Sequence, residues 1–254
     1  MNQSHEEKHA TQQTLYIIGT DEAGRGPLAG PVATAAACFR FSPSSTSPLF
    51  QLLGDSKALS VDERESAIRK LIPTATAEYF KYSEKEHDHT FVSVVNAEAS
   101  SQELFLGGAL RFMTASTIDE RNILEASLDG MCMCAAALMR ELNANAHVLG
   151  IAPLTKDNTI VLIDGPHTPF GLMAPAQREK KIATMIKGLE RKTKLGAQKL
   201  HPEEPKIKGK RAPKVPVVLP TYDRGDIECL EGVVAAGVIK GDALCPSIAA
   251  ASIL

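Results

Sequence analysis

The stretch Asp21-Glu22-Ala23-Gly24-Arg25-Gly26-Pro27 follows the apolar run Leu15 to Ile18 and precedes another, Val32 to Phe39. An apolar run that ends in acids and glycine reads as a strand delivering charge to the edge of a sheet. Between the two runs, Gly24, Gly26, Pro27, Gly30 and Pro31 forbid regular structure and shape a tight loop with exposed backbone. Two later segments repeat the pattern. Ile163-Asp164-Gly165 closes the apolar run Thr159 to Ile163, and Gly241-Asp242 follows the run Val233 to Ile239. A fourth segment, Asp55-Ser56-Lys57, lies in a turn-like context. Pooled at one sheet edge, such acids make a nest of like charges suited to divalent metal, and so to chemistry on a phosphate-bearing substrate.

Working outward, Ser60 and Glu63 form a capping box that opens a helix over Val61 to Leu71, closed by Pro73. Glu78 to Ser83 alternates as a strand, whereas 84–116 has no clear period and reads as an insertion. The spacing of Leu124, Leu128, Met131, Ala135, Leu138 and Leu142 predicts one buried helix from about Ile118 to Leu142. A final helix begins near Pro246. The order of elements predicts an α/β protein: a central mixed sheet flanked by helices.

Composition bounds the rest. The 254 residues are 44% hydrophobic, enough for one substantial core, with a formal charge of -2. Arg178 to Lys214 holds 13 lysines and arginines against four glutamates, about +9, which leaves the remainder near -11. That stretch is read either as a solvated loop or as a nucleic-acid contact, with Lys206 to Lys214 also resembling a nuclear address. Five cysteines without a CxxC pair fit a reducing compartment, and Cys132 and Cys134 sit two apart on the long helix, against a zinc site. No apolar stretch approaches the roughly 20 residues that span a bilayer, and the polar residues 1–14 resemble no targeting signal. A soluble intracellular protein is expected, in nucleus or cytoplasm rather than an organelle, with no membrane partner.

Each acid also has a bland reading. Asp21 and Glu22 are adjacent, and neighbours on a strand point to opposite faces, so joint ligation requires the strand to end or twist there. Asp164 before glycine suits a turn, Asp242 could cap the following helix, and Lys57 could be a solvated surface lysine. His87 and His89 read as surface loop.

The residues Thr20 to Val32, Gly54 to Leu59 with Arg64, Ile118 to Leu124, Leu162 to Gly165 and Lys240 to Leu254 together closely resemble ribonuclease HII, the type 2 ribonuclease H family. Arg25, in place of a lysine, and the short N-terminus favour type 2 over type 3. The resemblance implies a ribonuclease H-like fold in a single domain over 15–254, with insertions at about 84–116 and 167–230. It implies cleavage of the RNA strand of RNA–DNA hybrids, and incision 5′ of single ribonucleotides in duplex DNA, with two Mg²⁺ or Mn²⁺ ions. By the same resemblance, Asp21, Glu22, Asp164 and Asp242 match the catalytic, metal-binding acids. Gly24, Arg25 and Gly26 match the loop that reads the ribose beside deoxyribose, and Lys57 matches a lysine near the phosphates.

Two departures set expectations. The last two acids are close in the family but 78 residues apart here, with a long basic insertion between them that a surface loop could accommodate without touching the core. The family also continues past the Ile248 to Leu254 motif, into helices and a sugar-stacking tyrosine that this chain does not match by position. The alternative is therefore a non-catalytic nucleic-acid-binding relative that lost activity with its C-terminus. Accessory subunits are left open.

Overall fold

The computed structural model describes residues 15–26, 30–41, 53, 59–72, 90–94, 105–197, 222 and 224–254. Along the chain run β1 (Leu15–Ala23), β2 (Val32–Phe41), α1 (Val61–Leu71), β3 (Thr90–Val94), β4 (Phe105–Met113), α2 (Ala115–Arg121) and α3 (Ile123–Ala144). There follow β5 (Thr159–Asp164), α4 (Pro175–Ala197), α5 (Arg224–Ile227), β6 (Val234–Val238), α6 (Gly241–Leu244) and α7 (Pro246–Ile253). The six strands form one sheet in the order β3-β4-β2-β1-β5-β6. Pairing is antiparallel from β3 to β1 and parallel from β1 to β6. The expected α/β class and central mixed sheet flanked by helices are what is found.

Alternation along the strands assigns their two faces. Tyr16, Ile18, Ala36, Cys38, Val161 and Ile163 point to one side and pack with Leu128, Met131, Ala135, Leu138 and Leu142 of α3. Ala35, Ala37 and Phe39 point to the other, against Leu71 of α1 and Ala250 and Ala251 of α7. The small residues of α7 bring it very close to β1. A Cβ on Gly19 would lie 2.2 Å from the backbone carbon of Ser247, so only glycine admits this contact.

Ser60 and Glu63 form the reciprocal capping box expected for α1. Residues 84–116, read as an insertion, contribute two strands: β3 and β4 belong to the sheet, and β4 pairs with β2 from Val32↔Met113 to Phe39↔Phe105. Because β4 is buried along most of its length, its sequence shows no alternation. The helix predicted from Ile118 to Leu142 is two helices meeting at 115°. Asn122, at φ 68°, breaks the run and caps α3 by accepting from the Leu124 and Glu125 N–H groups at 3.0 and 3.2 Å. The stretch 167–230 does reach the core, through Leu172 and Leu230, both buried in the α3 cluster. The strand expected at Glu78 to Ser83 and the basic segment Lys206 to Lys214 lie outside the described residues, as do His87 and His89. No single helix among the described residues is long and apolar enough to cross a membrane.

Candidate active site

The first acids do not follow a strand end. β1 runs through to Ala23, and Asp21 and Glu22 remain paired with Ala35 and Thr34 of β2. They therefore diverge. Asp21 shares the face of Ala35, toward α7, where the Ser252 hydroxyl donates to its carboxylate. Glu22 shares the face of Thr34, whose side chain lies against Cys134 of α3.

β5 supplies the partner for Asp21. Parallel pairing ends with Thr20 beside Ile163, so the next residues in register are Asp21 and Asp164. Ile163 faces α3, which turns Asp164 toward α6 and α7, the side that Asp21 occupies. There Asp164 Oδ1 accepts the Gly241 N–H at 2.8 Å. A side chain at Gly241 would collide with Ile248 and stand 3.2 Å from Asp164 Oδ1.

The electrostatics follow from this placement. Asp21 is only 7% exposed, and burial pushes its carboxyl up to about 7. The charges of Asp164 and Glu22 push the same way, while the Ser252 hydroxyl and the Glu22 N–H, which donates to Asp21 Oδ1 at 2.7 Å, pull it down. Burial and like charge win over two hydrogen bonds.

The other predicted site residues are placed as follows. Glu22 is ion-paired with Arg25 at 3.0 Å. Gly24 has φ +90°, and a Cβ there would stand 3.0 Å from the Pro31 carbonyl, whereas Gly26 borders open space. Asp242 is the second residue of α6, and its Oδ1 accepts the N–H of its neighbour Ala243 at 3.0 Å. It is not a helix cap, since neither α6 nor α7 has a side-chain cap at its start. Lys57 lies outside the described residues. The structure thus brings Asp21 and Asp164 together, holds Glu22 beside them on the opposite face, and ties Asp242 to them only through its neighbour Gly241. Among the described residues, no three His, Cys, Asp or Glu side chains stand close enough to hold a metal ion as they are.

The donor chemistry nonetheless fits a hard cation. Asp21 and Asp164 offer carboxylate oxygens on one face, and a cation would offset the burial, and the lesser like-charge repulsion, that raise the Asp21 carboxyl. Ser252, Gly241 and Gly19, which hold that pair in place, were given no role by sequence reasoning. Gly241 and Ser252 lie within motifs whose acids drew attention first; Gly19 carries no local signal.

The chain is similar to known proteins. Residues 18–190 match the family model described as ribonuclease HII. The ribonuclease HII of Chlorobium chlorochromatii is 31% identical over 157 residues, 56% of this chain and 74% of that protein. That of Xanthomonas campestris pv. campestris strain 8004 is 32% identical over 167 residues, 66% of this chain but only 49% of that protein. This chain thus spans about half the length of the Xanthomonas relative. The ribonuclease HII structure solved in complex with PCNA from Archaeoglobus fulgidus overlays with a TM-score of 0.43 at 16% identity, covering 94% of this chain and 70% of that one.

Proposed function

This chain belongs to the ribonuclease HII family, and from that premise we propose that it is an endoribonuclease acting on the RNA strand of RNA–DNA hybrids. In this reading it also incises 5′ of single ribonucleotides in duplex DNA, leaving 3′-hydroxyl and 5′-phosphate ends. The observation that carries the proposal is the Asp21–Asp164 pair, set side by side by β1 and β5 and turned to one face.

Asp21 and Asp164 would hold Mg²⁺ or Mn²⁺, with Glu22 and Asp242 completing the ligand set once Glu22 leaves Arg25. Two bound ions supply activation of water and stabilisation of the leaving 3′ oxygen. The chain's own part is to position. Ser252 orients the Asp21 carboxylate, and the Gly241 N–H orients that of Asp164. Arg25, with its side chain 45% exposed, is free to trade Glu22 for a substrate phosphate or ribose. Gly26 leaves open space in which a 2′-hydroxyl can approach the backbone closely. Lys57, by its match to the family alone, is assigned to a substrate phosphate.

One observation favours a second reading, the non-catalytic nucleic-acid-binding relative: the four acids are not assembled within reach of one ion. A DNA duplex holding one ribonucleotide, tested with this chain and Mg²⁺ or Mn²⁺ beside an all-DNA control, separates the two. Incision 5′ of the ribonucleotide with the control intact is expected. Salt-sensitive binding without incision, unchanged in Asp21→Asn, would establish the binder instead.

A further inference from the structure

Asp164 is followed by Gly165-Pro166-His167-Thr168, and His167 and Thr168 form one wall of an open groove of about 630 Å³ between α3 and α4. Its floor is apolar, from Leu124 and Leu128 of α3 together with Met173 and Met185. Its rim is polar, with Gln177, Lys180, Lys181 and Thr184 of α4.

The two lysines have different work. Lys181 pairs with Glu125 at 2.8 Å and anchors α4 on α3, and that pair neutralises the one carboxylate in the lining. Arg178 adds a second anchor, donating to the Gly171 carbonyl at 2.6 Å. Lys180 is exposed, and among the described residues no ion pair or hydrogen bond engages its ammonium. The described side chains of α4, up to Lys187, include four lysines and arginines (Arg178, Lys180, Lys181, Lys187) against one glutamate (Glu179), a net of +3 on a chain whose total is -2. Positive charge is therefore concentrated beside the groove.

Distance links the groove to the acids. Thr168 is four positions after Asp164, a reach of about 14 Å at most, or roughly four nucleotides at about 3.4 Å rise each. Asp164 faces α6 and α7 while the groove lies on the α3 side, so a strand lying over Asp164 reaches the groove by crossing the end of the sheet at Gly165.

We propose that the α3–α4 groove is a second nucleic-acid contact. It takes the substrate's sugar-phosphate backbone within about four nucleotides of the scissile phosphate, with Lys180 against a phosphate and the apolar floor beneath sugar and base. The proposal rests on the nuclease reading above for the identity of the substrate. It gives a task to the start of the basic stretch that separates Asp164 from Asp242.

The test is fluorescence anisotropy of an RNA–DNA hybrid in EDTA with the full chain, Lys180→Gln and Lys180→Glu. Lys187→Glu, an exposed change on α4 outside the groove lining, is the control. The expected result is a roughly three- to tenfold rise in Kd for the Lys180 variants, with the salt slope lowered by about one in Lys180→Gln. Hybrids shortened to two base pairs on one side of the site should erase the difference, and shortening on the other side should not. Equal losses in Lys180→Glu and Lys187→Glu would overturn the groove in favour of a diffuse field. Displacement of the hybrid by an acidic peptide of equal charge, at equal affinity, would overturn it in favour of a protein partner. Cleavage of the same hybrid with Mg²⁺ is run in parallel. Binding that depends on Lys180 without cleavage supports the groove and counts against the nuclease reading alone.

Discussion

The N–H of Gly241 donates to Oδ1 of Asp164 across 2.8 Å, joining the acid that ends β5 to the residue that opens α6, 77 positions later. Lys240, just before, adopts the left-handed conformation at φ 56°. That turn aims the first N–H of α6 back at the sheet. Asp242 is the next residue, so the contact places it at a set offset from Asp164 despite the long intervening sequence.

Replacing Asp21 with Asn should abolish cleavage and yet stabilise the protein. The buried carboxyl, held up at about 7, keeps its proton in the fold while the unfolded chain releases it near 4. Between those values the folded state binds more protons, so stability falls as pH rises from about 4 to about 7 and levels off above. Without metal, Asp21→Asn should gain about 2 kcal/mol at pH 8 and flatten that slope. Urea denaturation at pH 5 and pH 8 checks it, and an active, folded Asp21→Asn protein would sink the proposed mechanism.

Gly19→Ala should be among the costliest methyl additions at the described glycines. The new Cβ would meet backbone atoms of Ser247 and Ile248 at 2.2–2.4 Å, and backbone does not move aside as a side-chain tip can. α7 must shift away from β1, taking Ser252 from Asp21. A loss of about 1–3 kcal/mol is expected, with activity falling further than stability alone would require. Ser252 supplies the discriminating readout: Asp21 should titrate higher in the variant, by NMR of the carboxyl carbon.

Arg121 and Asp129 are a buried pair, with Nε donating to Oδ2 at 2.7 Å and both side chains almost wholly enclosed. Burial still raises the Asp129 carboxyl to about 6 against the attraction of Arg121. Arg121→Met leaves that acid uncompensated and should cost about 3–5 kcal/mol, while Arg121→Met with Asp129→Leu should recover most of it. Urea midpoints of the three proteins decide the matter.

Much of this was legible in the sequence where one residue type does one job. Ser60 and Glu63 marked a helix start because a cap needs only three residues and no partner from elsewhere. The acids of β1 and β5 stood out as charges ending apolar runs. What was hidden depends on tertiary packing. In β4, Gly107 and Gly108 are needed because a Cβ would strike the Ser93 carbonyl and the Leu254 side chain. The bend at Asn122 carries no proline or glycine, and only asparagine's tolerance of positive φ betrays it. The divergence of Asp21 and Glu22 followed from strand alternation, yet it required knowing that β1 continues through Ala23.

β1 is paired on one side with β2, its neighbour in sequence, and on the other with β5, where Thr20 meets Ile163. In kinetic terms these are different events. The β1–β2 hairpin closes a short loop, whereas β1–β5 must close one of about 140 residues before any contact rewards it. The side of the sheet that carries the chemistry is therefore the later to assemble. An intermediate holding β1, β2 and β4 would display a sheet and a buried core, and would still lack the Asp21–Asp164 pair. Recovery of strand signal during refolding should run ahead of recovery of activity, and the interval between them is the time the chain spends searching for β5.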